Sequence, residues 1–186
     1  ALAAGLGRLS SLWPVRSLSV VYIELFRGTS LLVQLYWIFF VLPLFGISLP
    51  KFEAGFLSVG LNVGAYGAEI VRGAIQAVPR GQWEAGYALS MSPAKRMRRI
   101  ILPQALVLML PPWGNLMIEL LKGTALVALI AVPDLMFVAK QINGATFRSA
   151  EAFGAALLVY YLLARVLITP AMRGLERAMA RRLGRA

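Results

Sequence analysis

The 186-residue chain has no cysteine and no histidine. Without cysteine there can be no disulfide framework, and without either residue there is no thiolate or imidazole metal site. The same absence removes the Ser-His and Cys-His nucleophile arrangements. Acids are also scarce, with eight Asp and Glu against nineteen Lys and Arg, a formal charge of +11. A membrane-embedded enzyme would have a thin catalytic inventory here. What the chain has instead is apolar length: 59% of its residues are hydrophobic and the mean hydropathy is +0.73. That exceeds an ordinary soluble domain and points to helical spans of roughly 20 residues each. So basic a charge can mark nucleic-acid binding, but these cations gather between and after the apolar runs, so nucleic acid is not an expected partner.

The whole chain, 1–186, reads as one all-α transmembrane domain. Its first ten residues, ALAAGLGRLS, are apolar, too short to span, and lack the basic segment of a signal peptide, so they read as the tail of a further span upstream. Residues 11–30 carry Arg16, Glu24 and Arg27 and read as a surface segment. Residues 31–49 read as a span whose one strongly polar side chain is Gln34, PKFEA as a short turn, and 55–72 as the next span. On that span Gly60, Gly64 and Ala68 fall four apart on one face, which favours close approach of another helix. Residues 102–121 are long enough to cross, with Pro111, Pro112 and Gly114 predicting a kink or a break. Residues 124–139 read as a re-entrant or partial segment, and 153–170 as the final span. The tail 171–186 places Met172, Leu175, Met179 and Leu183 on one stripe flanked by arginines, including Arg185, as suits a helix lying on an anionic leaflet.

Basic residues sort by side. Fourteen lie before residue 28, in the loop around 73–100, or in the tail, whereas Lys51, Lys140 and Arg148 lie on the other face. The loop and both ends are therefore expected in the cytoplasm. Within the loop, residues 82–90 are good helix formers, SMSP stops them, and Ser92-Pro93 is a restart with Ser at the N-cap. Two short helices with a sharp turn near Ser90–Met91 follow. Such a knuckle suits either a connector hugging lipid phosphates or a docking element for a cytoplasmic partner.

Glu84-Ala85-Gly86, Ser90 and Ile100-Ile101-Leu102-Pro103 resemble the EAA loop of permease subunits from bacterial ABC importers, whose pattern is E-A-A, three residues, Gly, nine residues, then I-x-L-P. Two positions depart from it: Gly86 stands for the second Ala, and Ser90 for a turn Gly that favours positive φ. YIELFRGTSLLVQL (22–35), LNVGAYGAEIVRGAIQAVPRGQWEA (61–85) and PPWGNLMIELLKGTALVALI (111–130) are similar to the polar-amino-acid branch, so the resemblance covers nearly everything from residue 20. Ser30 stands where Pro is usual, and Gly123 where an acid is frequent.

The resemblance implies a permease core of about five transmembrane helices, the first largely missing from this chain, in the bacterial inner membrane. It implies that the loop at 80–99 seats in a groove of a separate ATPase subunit, two copies of which carry ATP and Mg, with Glu84 a polar contact and Arg80 and the Lys95–Arg99 cluster beside it. A second permease, identical or homologous, and an external substrate-binding protein complete the implied partners. The chain has no G-x-x-x-x-G-K-[ST] loop, so no ATP site is expected on it.

Polar groups in spans cost roughly 2.5–3.5 kcal/mol when charged at mid-helix and so mark candidate cargo contacts. Glu119 and Lys122, three apart, either neutralise each other or compete for the amino and carboxylate groups of a zwitterion. Asn62, Asn115, Gln34 and Tyr66 are further candidates on the path, while Glu69 reads as a structural partner of Arg72. The function expected is ATP-driven import of a polar amino acid or similar zwitterion, ectoine included. The alternative is a passive channel, against which stands the absence of any run of acids able to form a ring.

Overall fold

The computed structural model describes residues 1–182, and within them there are helices and turns but no strand. Leu183 and Arg185, expected on the tail's stripe and its basic flank, lie outside the described residues. A short helix α1 (Leu2–Arg8) leads to α2 (Trp13–Gly28), which begins with Pro14 in its first turn. After Thr29–Ser30 the chain re-enters helix as α3 (Leu31–Tyr36), widens to a π turn at Trp37–Val41 and tightens to a 3-10 turn at Leu42–Phe45.

This corrects two expectations. Residues 11–30 are a long helix, bent by 105° against Leu31–Phe45, so the two together make one broken span or a re-entrant pair. Leu31–Phe45 reaches only about 22 Å at 1.5 Å per residue, short of a ~30 Å hydrocarbon core, and stops at Gly46 with φ +83°. The bend is stitched by Gln34, whose Nε2 donates to the Phe26 carbonyl (2.8 Å) and to Thr29 Oγ1 (2.7 Å). Asn62 Nδ2 donates to the same Phe26 carbonyl and to Gln34 Oε1, both at 3.1 Å. Backbone carbonyls freed at a break in lipid need such partners, because no water replaces them.

The central helix is α4 (Lys51–Gln76), 26 residues long. Lys51 to Ala54, expected in a turn, are helical, because Pro50 suits the helix entrance and Glu53 favours its positive end. The helix runs through both hydrophobic cores. Ala54 and Val59 join Leu35, Ile38, Val127, Ile130 and Val132 in one, and Val71, Ala74 and Ile75 join Val78, Ile101, Ala105 and Met109 in the other. Its small residues let neighbours close in: a β-carbon at Gly64 would meet the Tyr22 hydroxyl, and one at Gly67 the Leu116 and Trp113 side chains. Gly60, expected on the close-approach face, has open space around it.

Next come α5 (Arg80–Ala88) and then α6 (Pro93–Arg96), a π turn at Met97–Ile101, α7 (Leu102–Thr124) and a 3-10 turn at Ala125–Ile130. The last four form a single 38-residue helix, Pro93–Ile130. Hence the loop's second short helix is the foot of a span rather than a separate element. The span is also unbroken at Pro111 and Pro112, which sit inside α7. Packing by α4 and by the chain's last helix along α7 holds it there, and lipid offers the freed carbonyls no alternative partner. Beyond Ala131, α8 (Leu135–Thr146) is N-capped by Asp134, which accepts from the Phe137 N–H at 2.8 Å. Its 12 residues are too few to cross a membrane alone.

The last helix comprises α9 (Ser149–Leu162), a π turn at Leu163–Ile168 and α10 (Thr169–Arg182), and is continuous over Ser149–Met179. The basic tail therefore extends the final span and packs along α7, with Met172 against Gly114, instead of turning away as a separate surface helix. Each π turn ends two residues before a proline: Val41 before Pro43, Ile101 before Pro103 and Ile168 before Pro170. A proline clashes with the carbonyl four residues back and brings no N–H to it, and a widened turn absorbs both problems without ending the helix.

Candidate functional site

Three groups of residues stand out. The first is the knuckle at α5. Arg80, Glu84, Ala85 and Ala88 are exposed, while Trp83 is half-buried against the second core and Gly86 is buried. Arg80, Glu84 and Ala88, spaced four apart, share a face open to a partner. Ser90 makes the turn with φ +52°, so the serine adopts the left-handed geometry that the resembled pattern assigns to glycine. Ser92 is at the N-cap and Pro93 opens the next helix, although the serine hydroxyl makes no capping bond. Ile100 reaches Gly86, Ile101 is fully buried, and Leu102 and Pro103 are half-buried at the start of α7. Of the basic cluster, Lys95, Arg98 and Arg99 are exposed. Arg96 is not: it is buried beneath α5 and unavailable as a surface contact, a correction that residue type alone could not supply.

The second group lines a cleft of about 610 Å³ where the α2–α3 bend meets α4 and α7. Thr29, Ser30 and Leu31 come from the bend, Asn62 and Tyr66 from α4, and Glu119 and Lys122 from α7. Four of the six candidate path residues thus share one cleft. Gln34 lies behind it, buried and bonded to Asn62. Asn115 is exposed and lies outside the cleft lining. Lys122 Nζ donates to Glu119 Oε1 at 3.0 Å, with the two side chains 63% and 66% exposed. So open an ion pair is worth at most about 1 kcal/mol, and each partner is readily exchanged for another charge.

The third group escaped sequence reasoning beyond one pair. Glu69, only 15% exposed, takes Arg72 (2.8 Å), Arg8 (2.7 Å) and Arg27 (3.6 Å) from three different helices. Arg8 also reaches Glu24 at 3.0 Å, and the Arg27 guanidinium lies 5.3 Å from the centre of the Tyr66 ring on the cleft wall. The signal for Glu69–Arg72 was their i,i+3 spacing. Arg8 and Arg27 are 61 and 42 residues away from Glu69 in sequence, and nothing local joins them to it.

Several apolar helices, a cleft holding an exposed charge pair between them and a protruding knuckle define the transmembrane subunit of a transport system. Residues 1–181 match the family of binding-protein-dependent transport system inner membrane components, and the chain belongs to it. It is 48% identical over 171 residues to the probable amino-acid ABC transporter permease protein y4tF of Sinorhizobium fredii, covering 89% of this chain and 72% of that one. To the glutamine transport system permease protein GlnP of Escherichia coli K12 it is 38% identical over 180 residues, covering 96% and 82%. A crystal structure of an amino acid ABC transporter superposes with a TM-score of 0.87 at 38% identity, covering 94% of this chain and 81% of the other. The chain is accordingly a transmembrane permease subunit of an ABC importer for amino acids, a translocation component.

Proposed function

We propose that this permease imports a polar amino acid, or a zwitterion of similar chemistry such as ectoine, driven by a separate ATPase seated on α5. The observation that carries the cargo class is the Glu119–Lys122 pair, open to the cleft between the spans. A free amino acid offers one ammonium and one carboxylate, so it can trade partners with this pair without leaving any charge unmatched. The relatives named for amino acids and for glutamine support the class. Two ATPase copies hold ATP and Mg, a second permease completes the pathway, and an external binding protein delivers the cargo. The loop and C-terminus face the cytoplasm, where anionic lipids meet the basic tail. A channel needs no driven partner and leaves the exposed face of α5 without a purpose.

The cargo reading is tested by Glu119→Gln. Loss of a charge-assisted bond of about 1.5–3 kcal/mol should raise the uptake KM by roughly tenfold or more, with the thermal midpoint unchanged. Uptake kinetics identical to wild type across an amino-acid panel would leave the pair a purely structural one. Orientation is tested with the chain's lack of native cysteine as the advantage. Lys95→Cys and Lys51→Cys are expected to react with membrane-impermeant maleimide from opposite faces of sealed vesicles, and labelling from the same face would overturn the topology.

A further inference from the structure

Arg96 is the one basic residue of the loop cluster that the fold buries, at 5% exposure. Its guanidinium carbon lies 3.6 Å from the Tyr87 ring centroid and 5.9 Å from that of Trp83. A β-carbon at Gly86 would lie 2.5 Å from Arg96 Cδ and 2.7 Å from Cγ, so the arginine stem fills the space an alanine methyl needs. Its Nε has no hydrogen-bond partner among the described residues. What holds this cation is therefore the packing of its stem and the faces of the rings, and cation–π attraction strengthens when the pair is desolvated.

The two sides of this contact belong to different helices. Trp83, Gly86 and Tyr87 are on α5, whereas Arg96 begins the 38-residue Pro93–Ile130 helix that lines the cleft through Glu119 and Lys122. A second link, from Gln104 Nε2 to Gln82 Oε1 at 3.0 Å, is solvent-exposed. The turn between the two parts contains Ser90, held at positive φ. Trp83 also packs on the second core, which includes Ile101 and Ala105 of the long helix, and beside it the arginine stem fills the gap at Gly86, where it cannot slide without opening a void.

We propose that Arg96 is the positioning residue that fastens α5 to the cleft-lining span, with Gly86 as its required seat, so that displacement of α5 becomes movement of that span. This rests on the reading of α5 as the ATPase-docking helix. The alanine that the resembled pattern has at 86 would meet the arginine stem, so the large side chain at 96 and the missing methyl at 86 fit together.

The test uses the reconstituted importer, with its ATPase, second permease and binding protein, and reads solute imported per ATP hydrolysed. A photo-crosslinking residue at position 88 reports docking separately. Arg96→Ala and Gly86→Ala are each expected to lower the ratio about threefold or more while the crosslink persists, in the range that coupling-network mutations produce. The double variant is expected to lose no more than the worse single, because both remove the same contact. Arg96→Lys, which keeps a stem and a cation, is expected to stay within about twofold of wild type. A wild-type ratio in either alanine variant, or losses that multiply in the double, would overturn the proposal. A wild-type complex without the crosslink at 88 would instead overturn the docking reading beneath it.

Discussion

Replacing Glu69 with alanine is expected to lower the thermal midpoint of the detergent-purified permease by about 5–10 °C, the largest stability loss of any single substitution considered for this chain. Three arginines converge on this carboxylate from α1, α2 and α4, and it is 85% buried by its 15% exposure. Removing one partner of a buried ionic group leaves the others desolvated and mutually repelling, a cost of 3–5 kcal/mol when burial is complete. Here the arginines keep 23%, 37% and 30% exposure and can partly rehydrate, so about 2–3 kcal/mol is the better figure. For a chain of this size, about 2–4 °C accompanies each kcal/mol. Glu24→Ala is the control. It touches the same Arg8, but Glu24 is 61% exposed and its loss is expected to cost under about 1 kcal/mol. Equal midpoints for the two variants, measured by fluorescence during heating, would show that Glu69 does not organise these helices.

Glu84→Arg is expected to reduce both the co-purifying ATPase and ATP-driven uptake at least tenfold, while leaving membrane insertion and yield unchanged. Glu84 is exposed on α5, outside both hydrophobic cores, so folding has little stake in it. Arg80 lies one turn away on the same face, so the substitution turns a mixed-charge face into a doubly basic one. A reversed charge seated against a partner shaped for a carboxylate costs several kcal/mol, because it is both unmatched and repelled. Uptake that remains fully ATP-driven in this variant would defeat α5 as the docking helix. Quantitative recovery of the ATPase alongside lost uptake would move Glu84 from binding to transmission.

The sequence was most legible where one residue type had one physical meaning. Ser92-Pro93 marked a helix start, and SMSP marked the stop before it, with Ser90 taking the left-handed turn that the pattern's glycine would adopt. The knuckle was readable for that reason. The cleft was half readable: charges inside apolar runs announce themselves, but the gathering of Asn62, Tyr66, Glu119 and Lys122 around one volume, with Asn115 outside it, depends on how helices rotate against each other. Proline was the least reliable sign. Pro111 and Pro112 leave α7 continuous, and Pro43, Pro103 and Pro170 are each preceded by a widened turn that absorbs them. Conversely, the real break came at Thr29–Ser30, where Gln34 and Asn62 from farther along the chain satisfy the carbonyl of Phe26.

Composition and the placement of charge were enough to make this an all-helical membrane protein, because apolar length and the positions of arginine respond to the bilayer directly, residue by residue. The motif residues were enough to mark the knuckle, because caps and turns are local. Tertiary structure decided the rest. Arg8, Arg27 and Arg72 meet at Glu69 only because three helices cross there, and Arg96 leaves the surface only because Gly86 makes room under α5. An arginine's fate is set by what lies within a few ångströms of its guanidinium, and in this chain those neighbours range from 3 residues away in sequence, Glu69 for Arg72, to 61, Glu69 for Arg8.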